Sequence, residues 1–277
     1  MTRPSRFVLQ VALLCVIVGA TSGDGQSPTI WFADHEEPGD HDWYSPGGIA
    51  FGGGQFNSGC TSGTGAGMAG TSFVKWTDIN VTPPANGGDF GLMLASTTTC
   101  GQGFSAGTRM FRWKEPKWDF PNQALYYKVW FYFPQNYVLT GSPDWWFWNV
   151  LQWKSQSGAA NDVFFSVNIY NRANGHMYLV LRDARGCQCN LPPLATIDVP
   201  VNQWFYIEGY YDSQDVAVGQ VKIWQGDDVN RTPLYDISGV TTKYAGGDTS
   251  WSVSNYTSGL TPQPAYFFID NAEIRTP

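Results

Sequence analysis

Short segments in which apolar and polar residues alternate dominate this sequence. The clearest is ALYYKVWFYFP, and others are FWNVLQWKS, VFFSVNIYN, HMYLVLRD, WFYIEGYYD, GQVKIWQGD and AYFFIDNAEI. Alternation with a period of two is typical of β-strands, and helical periodicity is almost absent. Many of the 31 Gly and 17 Pro residues stand between these segments, where turns are expected. The pattern predicts an all-β chain built as a large two-sheet antiparallel sandwich or jelly roll.

The N-terminus has the pattern of a secretory signal. Arg3 and Arg6 precede an uncharged, mostly apolar run from Phe7 to Ala20 that ends in small residues. This run is too short to cross a bilayer comfortably. We expect a signal peptide over residues 1–20, cleavage after Ala20, and export without a membrane anchor. The remaining residues 21–277 contain no linker or repeat, so we predict a single secreted domain and a monomer.

The charge of the mature chain restricts its partners. Loss of the two leader arginines would leave 14 basic residues against 23 acidic ones, a net charge of −9. Binding to phosphate backbones needs a basic surface, so we do not expect a nucleic-acid partner.

Four cysteines remain after the leader, and an even number in an exported chain indicates two disulfides. Three pairings are possible for Cys60, Cys100, Cys187 and Cys189. We favour Cys60 with Cys100 and Cys187 with Cys189. A zinc site is the weaker alternative, because the spacing is not that of paired CxxC motifs.

Alternation also predicts which residues share a face of each strand. Five segments have one aliphatic set and one set of amides, charges and rings, for example Val167 and Ile169 opposite Asn168 and Tyr170. Aromatic rings beside amides and charges suit a sugar-binding surface, because rings stack on the C–H faces of pyranoses while polar groups bind hydroxyls. The alternative is a face that is solvated or covered by loops.

The order of several motifs resembles a known family. FRW, YYKVWFYFP, NVLQWKS, VNIYN, VNQWFYIEGYYD, GQVKIWQGD and FFIDNAEI follow one another as in the concanavalin A-like jelly rolls of the polysaccharide lyase superfamily, particularly glucuronan-lyase-like and heparin-lyase-like proteins. The resemblance extends from about Trp31 to the end of the chain. It implies a concanavalin A-like sandwich that binds a uronic-acid polysaccharide across its concave sheet and cleaves it by β-elimination.

The resemblance also implies a set of site residues. Gln152 matches the glutamine that binds the uronate carboxylate, and Lys154 stands where the family often has His. Arg112 matches a family arginine, although Trp113 and Lys114 replace the small residue and Glu that usually follow it. We therefore predict Gln152, Lys154, His176, Tyr170 and Arg112 as catalytic residues. The predicted substrate contacts are Asn168, Tyr178, Arg182, Trp204, Tyr206, Glu208, Lys222 and Trp224.

Other functions fit the sequence less well or use the same surface. A glycosidase needs two carboxylates, and Glu208 has no obvious strand-borne partner. A serine hydrolase is disfavoured because the chain lacks a GxSxG motif and is not α/β. A non-catalytic lectin or carbohydrate-binding module remains the main alternative to a lyase, and a structural or adhesion protein of the cell envelope is a third.

The segment WFADHEEPGDHDWYSPGG, residues 31–48, is rich in carboxylates and broken by Pro and Gly. The first and last strands of such jelly rolls lie side by side, which would bring it close to FFIDNAEI. Calcium binds oxygen ligands, so we predict a structural Ca²⁺ site formed by Glu36, Asp40 and Asp270, with Glu37 and Asp42 as further candidates. The alternatives are a solvated acidic turn and a transition-metal site at His35 and His41. We expect no organic cofactor.

Overall fold

The computed structural model describes residues 28–36, 56–58, 69–96, 106–112, 124–140 and 147–277. The elements within these ranges are, in chain order, β1 (Thr29–Ala33), β2 (Phe56–Ser58), β3 (Ala69–Lys75), α1 (Trp76–Ile79), β4 (Phe90–Ser96), β5 (Ala106–Arg112), β6 (Ala124–Tyr132), β7 (Val138–Leu139), β8 (Trp148–Ser157), β9 (Ala160–Asn171), β10 (Met177–Asp183), β11 (Cys189–Asn190), β12 (Trp204–Asp212), β13 (Gly219–Gly226), β14 (Arg231–Val240), β15 (Asp248–Thr257), β16 (Leu260–Thr261) and β17 (Ala265–Arg275).

Two large antiparallel sheets form the fold. Sheet A has the order β14-β13-β12-β6-β17-β4-β3, with β1 paired to the end of β17. Sheet B has the order β11-β10-β9-β8-β15-β5-β2, and β16 pairs with β7 in a small third ladder. The all-β, two-sheet prediction is confirmed, and so is the prediction that the first and last strands lie side by side.

The aliphatic sets of the alternating strands meet between the two sheets. Val167 and Ile169 of β9 and Phe205 and Ile207 of β12 are all buried in one core cluster. The sheets also touch through stacked rings, since Trp153 of β8 lies parallel to Tyr211 of β12 at 5.1 Å between ring centroids. Each sheet therefore has an inner face toward this shared core and an outer face that points away from it.

Gly209 and Asn255 each contribute to the close packing of the two sheets. A Cβ atom on Gly209 of β12 would lie only 2.5 Å from the Trp153 ring, so the absence of a side chain there makes room for the indole. Asn255 of β15 is fully buried and donates to the carbonyls of Leu94 and Ala265 in sheet A at 3.0 and 3.1 Å. Its Oδ1 accepts from Trp148 Nε1 of the neighbouring strand β8 at 3.0 Å, so both ends of this buried amide are hydrogen-bonded.

One expectation about the strands requires correction. The five segments with a polar face do not form one surface, because β8, β9 and β10 belong to sheet B while β12 and β13 belong to sheet A. The outer faces of the two sheets point in opposite directions. Within the described part of the chain, no helix has the length and apolar composition to cross a membrane.

Candidate functional site

Gln152 lies at the centre of the outer face of sheet B. In the strand register it is paired with Ser166 of β9 on one side and Ser252 of β15 on the other, and Ser166 is paired in turn with Arg182 of β10. Residues directly opposite each other share a face, so these side chains form a row across the sheet. The two small serines leave the longer Gln152 side chain between them without a bulky neighbour in its own row.

Several polar atoms on this face lack hydrogen-bond partners among the described residues. Gln152 is 2% exposed and its Nε2 donor is unpaired, as are Asn149 Oδ1 and Ser250 Oγ. Asn149 Nδ2 is occupied, since it donates to the Leu151 carbonyl at 2.8 Å and to Asn168 Oδ1 at 3.3 Å. Buried polar groups are nearly always paired, so unpaired ones indicate a bound water, ion or ligand.

Lys154 and Arg182 place positive charge near Gln152. Lys154 is on the same strand face two residues along, about 7 Å away at about 3.4 Å per residue. Arg182 lies in the same row two strands away, about 10 Å from Gln152 at about 4.8 Å per strand. Both side chains are half-buried. With Asn168, they are the predicted site residues that the structure brings together around Gln152.

His176 belongs to a separate cluster at the other end of β10. Its Nδ1 lies 2.7 Å from Asp198 Oδ2, and Arg172 Nε lies 2.9 Å from Asp198 Oδ1. The His176 hydrogen bond lowers the pKa of Asp198 from its ordinary value, burial opposes this shift, and the Arg172 charge adds to the lowering. The carboxylate therefore orients the imidazole, and Arg172 also covers the Tyr178 ring at 5.3 Å.

This cluster is distant from Gln152. Tyr178 precedes Arg182 by four residues and pairs with Tyr170. At about 3.4 Å per residue, Tyr178 is about 14 Å further along the sheet than the Gln152 row, and His176 is about 20 Å further. The predicted catalytic residues therefore fall into two groups, Gln152 and Lys154 in one and His176 and Tyr170 in the other, which are too far apart to act on the same bond.

The predicted Arg112 ends β5, and its backbone is paired with Trp251. Arg109 of the same strand is paired with Ser254. The role of Arg112 stays a prediction.

The outer face of sheet A holds the other predicted substrate contacts, namely Trp204, Tyr206, Glu208, Lys222 and Trp224. These residues contact one another and their neighbours. The Glu208 carboxylate lies 2.6 Å from Arg231 and 3.2 Å from Arg275, and Arg231 covers the Trp224 ring at 4.0 Å. Lys128 likewise lies 4.8 Å from the Tyr206 ring centroid. Intramolecular contacts thus account for the aromatic and charged side chains of this face.

Two of the predicted calcium ligands come together where β1 meets β17. Glu36 accepts hydrogen bonds from the backbone N–H groups of Asp89 at 2.8 Å and Phe90 at 3.2 Å. Asp270 is fully buried, with Oδ1 3.5 Å from His35 Nδ1, while Oδ2 has no partner among the described residues. Burial raises the pKa of Asp270, and the neighbouring His35 opposes that shift.

This arrangement fits a hard cation in part. The unpaired Asp270 oxygen is a free ligand beside the Gly87 backbone, since a Cβ on Gly87 would lie 2.8 Å from it. Glu36 already has hydrogen bonds to both oxygens. Asp40, Glu37, His41 and Asp42 lie outside the described residues, and among the described residues no group of three or more His, Cys, Asp or Glu side chains could hold a metal ion.

The cysteines and the leader are described only in part. Cys187, in the turn after β10, is joined by a disulfide to Cys189, the first residue of β11. Cys60, Cys100 and the leader over residues 1–20 lie outside the ranges that the structure covers.

Comparison with solved structures identifies the architecture. The endo-β-1,4-glucuronan lyase of the fungus Trichoderma reesei superposes with a TM-score of 0.51 and 13% identity, covering 80% of this chain and 94% of that one. The fold is that of the jelly-roll polysaccharide lyases. An alginate lyase from the marine Aplysia kurodai gives 0.49 and 13%, covering 74% and 90% of the two chains. One from Chlorella virus gives 0.45 and 10%, covering 68% and 85%.

Sequence comparison adds no closer relative, because neither a protein-family model nor a curated protein matches the chain. The resemblance seen in the order of the strand motifs is thus confirmed at the level of the fold.

Proposed function

We propose that this protein is an exported polysaccharide lyase that cleaves a uronic-acid polysaccharide by β-elimination on the outer face of sheet B. The observation that carries the proposal is the Nε2 of Gln152, which has no hydrogen-bond partner among the described residues and lies between two serines in the same row as Arg182. An amide donor and an arginine cation suit a uronate carboxylate. Glucuronan lyase shares this fold, and its name states that it acts on such a polymer.

The chemistry follows from the charge of the substrate. A proton on C5 of a uronate is weakly acidic while the adjacent carboxylate keeps its negative charge, so the site must first offset that charge. In this proposal Gln152 donates to the carboxylate and Arg182 pairs with it. Lys154 is the base that removes the C5 proton. The C5–H electrons form the C4=C5 double bond, the C4–O4 bond breaks, and Lys154 returns the proton to O4.

The proposal requires that the substrate can reach Gln152. Gln152 is nearly inaccessible in this structure, so substrate binding requires a local opening above it. His176, oriented by Asp198, is placed to contact a sugar several units along the chain rather than the reacting one.

A second candidate function is a non-catalytic carbohydrate-binding module that uses the same face. The observation that favours it is the separation of His176 from Gln152, which leaves Lys154 as the only predicted base near the amide. Both candidates take polysaccharide as the partner and differ in whether a bond is broken.

Activity measurements separate the two candidates. Purified protein is incubated with glucuronan, alginate and desulfated glycosaminoglycans, and the ultraviolet absorbance of the unsaturated uronate product is followed. A lyase gives rising absorbance that is lost in Gln152→Ala and Lys154→Ala and retained in Lys222→Ala, a matched lysine on the opposite face of the sandwich. His176→Ala is expected to raise KM more than it lowers kcat. Retarded migration in polysaccharide gels without any absorbance change would instead identify a binding module.

We also propose that the mature protein is a secreted monomer of one domain, residues 21–277, and that Asp270 contributes one ligand to a structural Ca²⁺ ion. The buried Asp270 carboxylate with a free oxygen supports the ion, since a cation would offset a charge that burial disfavours. The cation would tie β17 to the segment after β1. Its proposed role is to stabilise the fold.

A further inference from the structure

A cavity of about 120 Å³ lies beside the segment 197–203, which leads from sheet B to the start of β12 in sheet A. Gln225 of β13 and Thr232 of β14 line it and are directly opposite each other in the strand register. Gln225 is also paired with the core residue Ile207, so both side chains are on the inner side of sheet A. The cavity is therefore separate from the Gln152 row, which is on the outer face of sheet B.

The Gln225 amide is the feature of this cavity that points to a ligand. Gln225 is 5% exposed, and its Nε2 donates to the Asp198 carbonyl at 2.9 Å, whereas its Oε1 has no partner among the described residues. A carbonyl can accept only from the NH₂ end of the amide, so this contact fixes the free end as the acceptor. Buried acceptors are nearly always paired, and the cavity therefore favours a ligand that donates a hydrogen bond.

The size and the walls of the cavity favour a ligand larger than one water. Its volume is several times the about 30 Å³ that a water molecule takes in the liquid. Ile197, Pro200 and Phe205 form an apolar part of the wall beside the polar side chains. A few polar groups on an apolar wall are typical of small-molecule sites. This combination fits one edge of a sugar ring, which has hydroxyl donors next to C–H groups.

Asp227 determines the charge that the cavity accepts. It lines the cavity, and its carboxylate accepts hydrogen bonds from the backbone N–H groups of Asn230 at 2.7 Å and Val229 at 2.8 Å. These bonds lower the pKa of Asp227, so the carboxylate is charged at neutral pH. A negative charge on the wall disfavours a uronate and favours an uncharged sugar.

We propose that this cavity binds a neutral sugar residue, with one hydroxyl donating to Gln225 Oε1 and a second hydroxyl bonded to Thr232. The choice of a sugar over another hydroxylated molecule rests on the polysaccharide partner proposed above. Gln225 holds the carbonyl of Asp198, whose carboxylate orients His176, so the cavity adjoins the His176 cluster. A polymer that contains neutral sugars as well as uronates would suit both this site and the Gln152 row.

The test is a ligand-observed NMR titration with methyl β-glucoside, and ethanolamine is the small cationic ligand for comparison. We expect the glucoside to bind more tightly than ethanolamine. Gln225→Met keeps a similar volume without the amide and should weaken glucoside binding about fivefold, the scale of one net hydrogen bond. Gln220→Met is the matched control on the same strand, because the Gln220 amide donates to Asp236 at 2.7 Å away from the cavity. It should leave glucoside binding unchanged.

A second variant separates the ligand contact from the hydrogen bond to Asp198, which Gln225→Met also removes. Thr232→Val has nearly the same shape as the wild type but lacks the hydroxyl, and it leaves the contact between Gln225 and Asp198 in place. It should also weaken glucoside binding. Thermal unfolding shows whether each variant is folded, and if Gln225→Met does not fold, Thr232→Val carries the test.

Three outcomes would overturn the inference: no glucoside binding by the wild type, unchanged binding in folded Gln225→Met or Thr232→Val, or tighter binding of ethanolamine. The first of these would show that the cavity holds only water. Failure of the lyase proposal would look different, since the polysaccharides would stay uncleaved while the glucoside still bound in a Gln225-dependent way.

Discussion

Glu208 lies at the centre of a charge network on sheet A. Its replacement by Gln should destabilise the fold without affecting substrate binding. The side chain is 4% exposed, with one carboxylate oxygen 2.6 Å from Arg231 and the other 3.2 Å from Arg275. These contacts join β12 to β14 and β17, so the carboxylate holds together strands that are distant in sequence.

The size of the stability loss depends on how the two arginines are placed once the carboxylate charge is removed. Breaking a buried ion pair costs about 3–5 kcal/mol, because the partner charge stays behind unpaired. Arg275 is 17% exposed and would keep only Glu273, at 3.5 Å, whereas Arg231 is 42% exposed and can recover water. Gln also keeps one acceptor. We therefore expect Glu208→Gln to lower the free energy of unfolding by about 2–3 kcal/mol.

Equilibrium urea denaturation measures this loss, and Asp236→Asn is the matched control. Asp236 pairs with Lys222 at 3.3 Å on the same face, but both side chains are partly exposed, at 45% and 30%. An exposed pair contributes about 0–1 kcal/mol. Equal losses for the two variants would refute the reasoning from burial. A large loss of polysaccharide binding by folded Glu208→Gln would show that this face of sheet A binds substrate.

Three further substitutions test the core and the proposed cation. Gly209→Ala should cost about 2–3 kcal/mol by overpacking against the Trp153 ring, measured as a lower urea midpoint, and an unchanged midpoint would show that the indole has room to move. Asn255→Leu removes a buried amide with three hydrogen bonds and should cost about 3–5 kcal/mol in the same assay, unless the carbonyls and Trp148 find other partners. Burial raises the pKa of Asp270, so its charged form costs stability above that pKa, and the cost disappears as pH falls through it. After EDTA dialysis, Asp270→Asn should therefore melt above the wild type at neutral pH, and Ca²⁺ should stabilise only the wild type; a wild type indifferent to both EDTA and Ca²⁺ would exclude the cation.

Alternation in the sequence was a reliable guide to the orientation of side chains within each strand. It correctly assigned Val167 and Ile169 to the core and Asn168 to the outer face, because the period of two is a local property of extended backbone. The assignment of Arg112 came from matching a motif instead of from strand parity, and it stays a prediction.

Only the central residues of the candidate site could be predicted from the sequence to lie together. Gln152, Lys154, Asn168 and Arg182 lie on adjacent strands, so their proximity follows from short connections and parity. His176 shares their face but lies far along the strand, a distance that residue identity does not reveal.

The sequence by itself determined that the chain forms strands, which side of each strand enters a core, and which polar groups lie on the other side. The tertiary structure decided which strands share a sheet. Glu208 and Gln152 have the same local pattern, yet β12 and β8 are packed face to face through Trp153 and Tyr211. Their polar faces therefore point apart, because pairing between strands distant in sequence depends on the whole topology and on no local period.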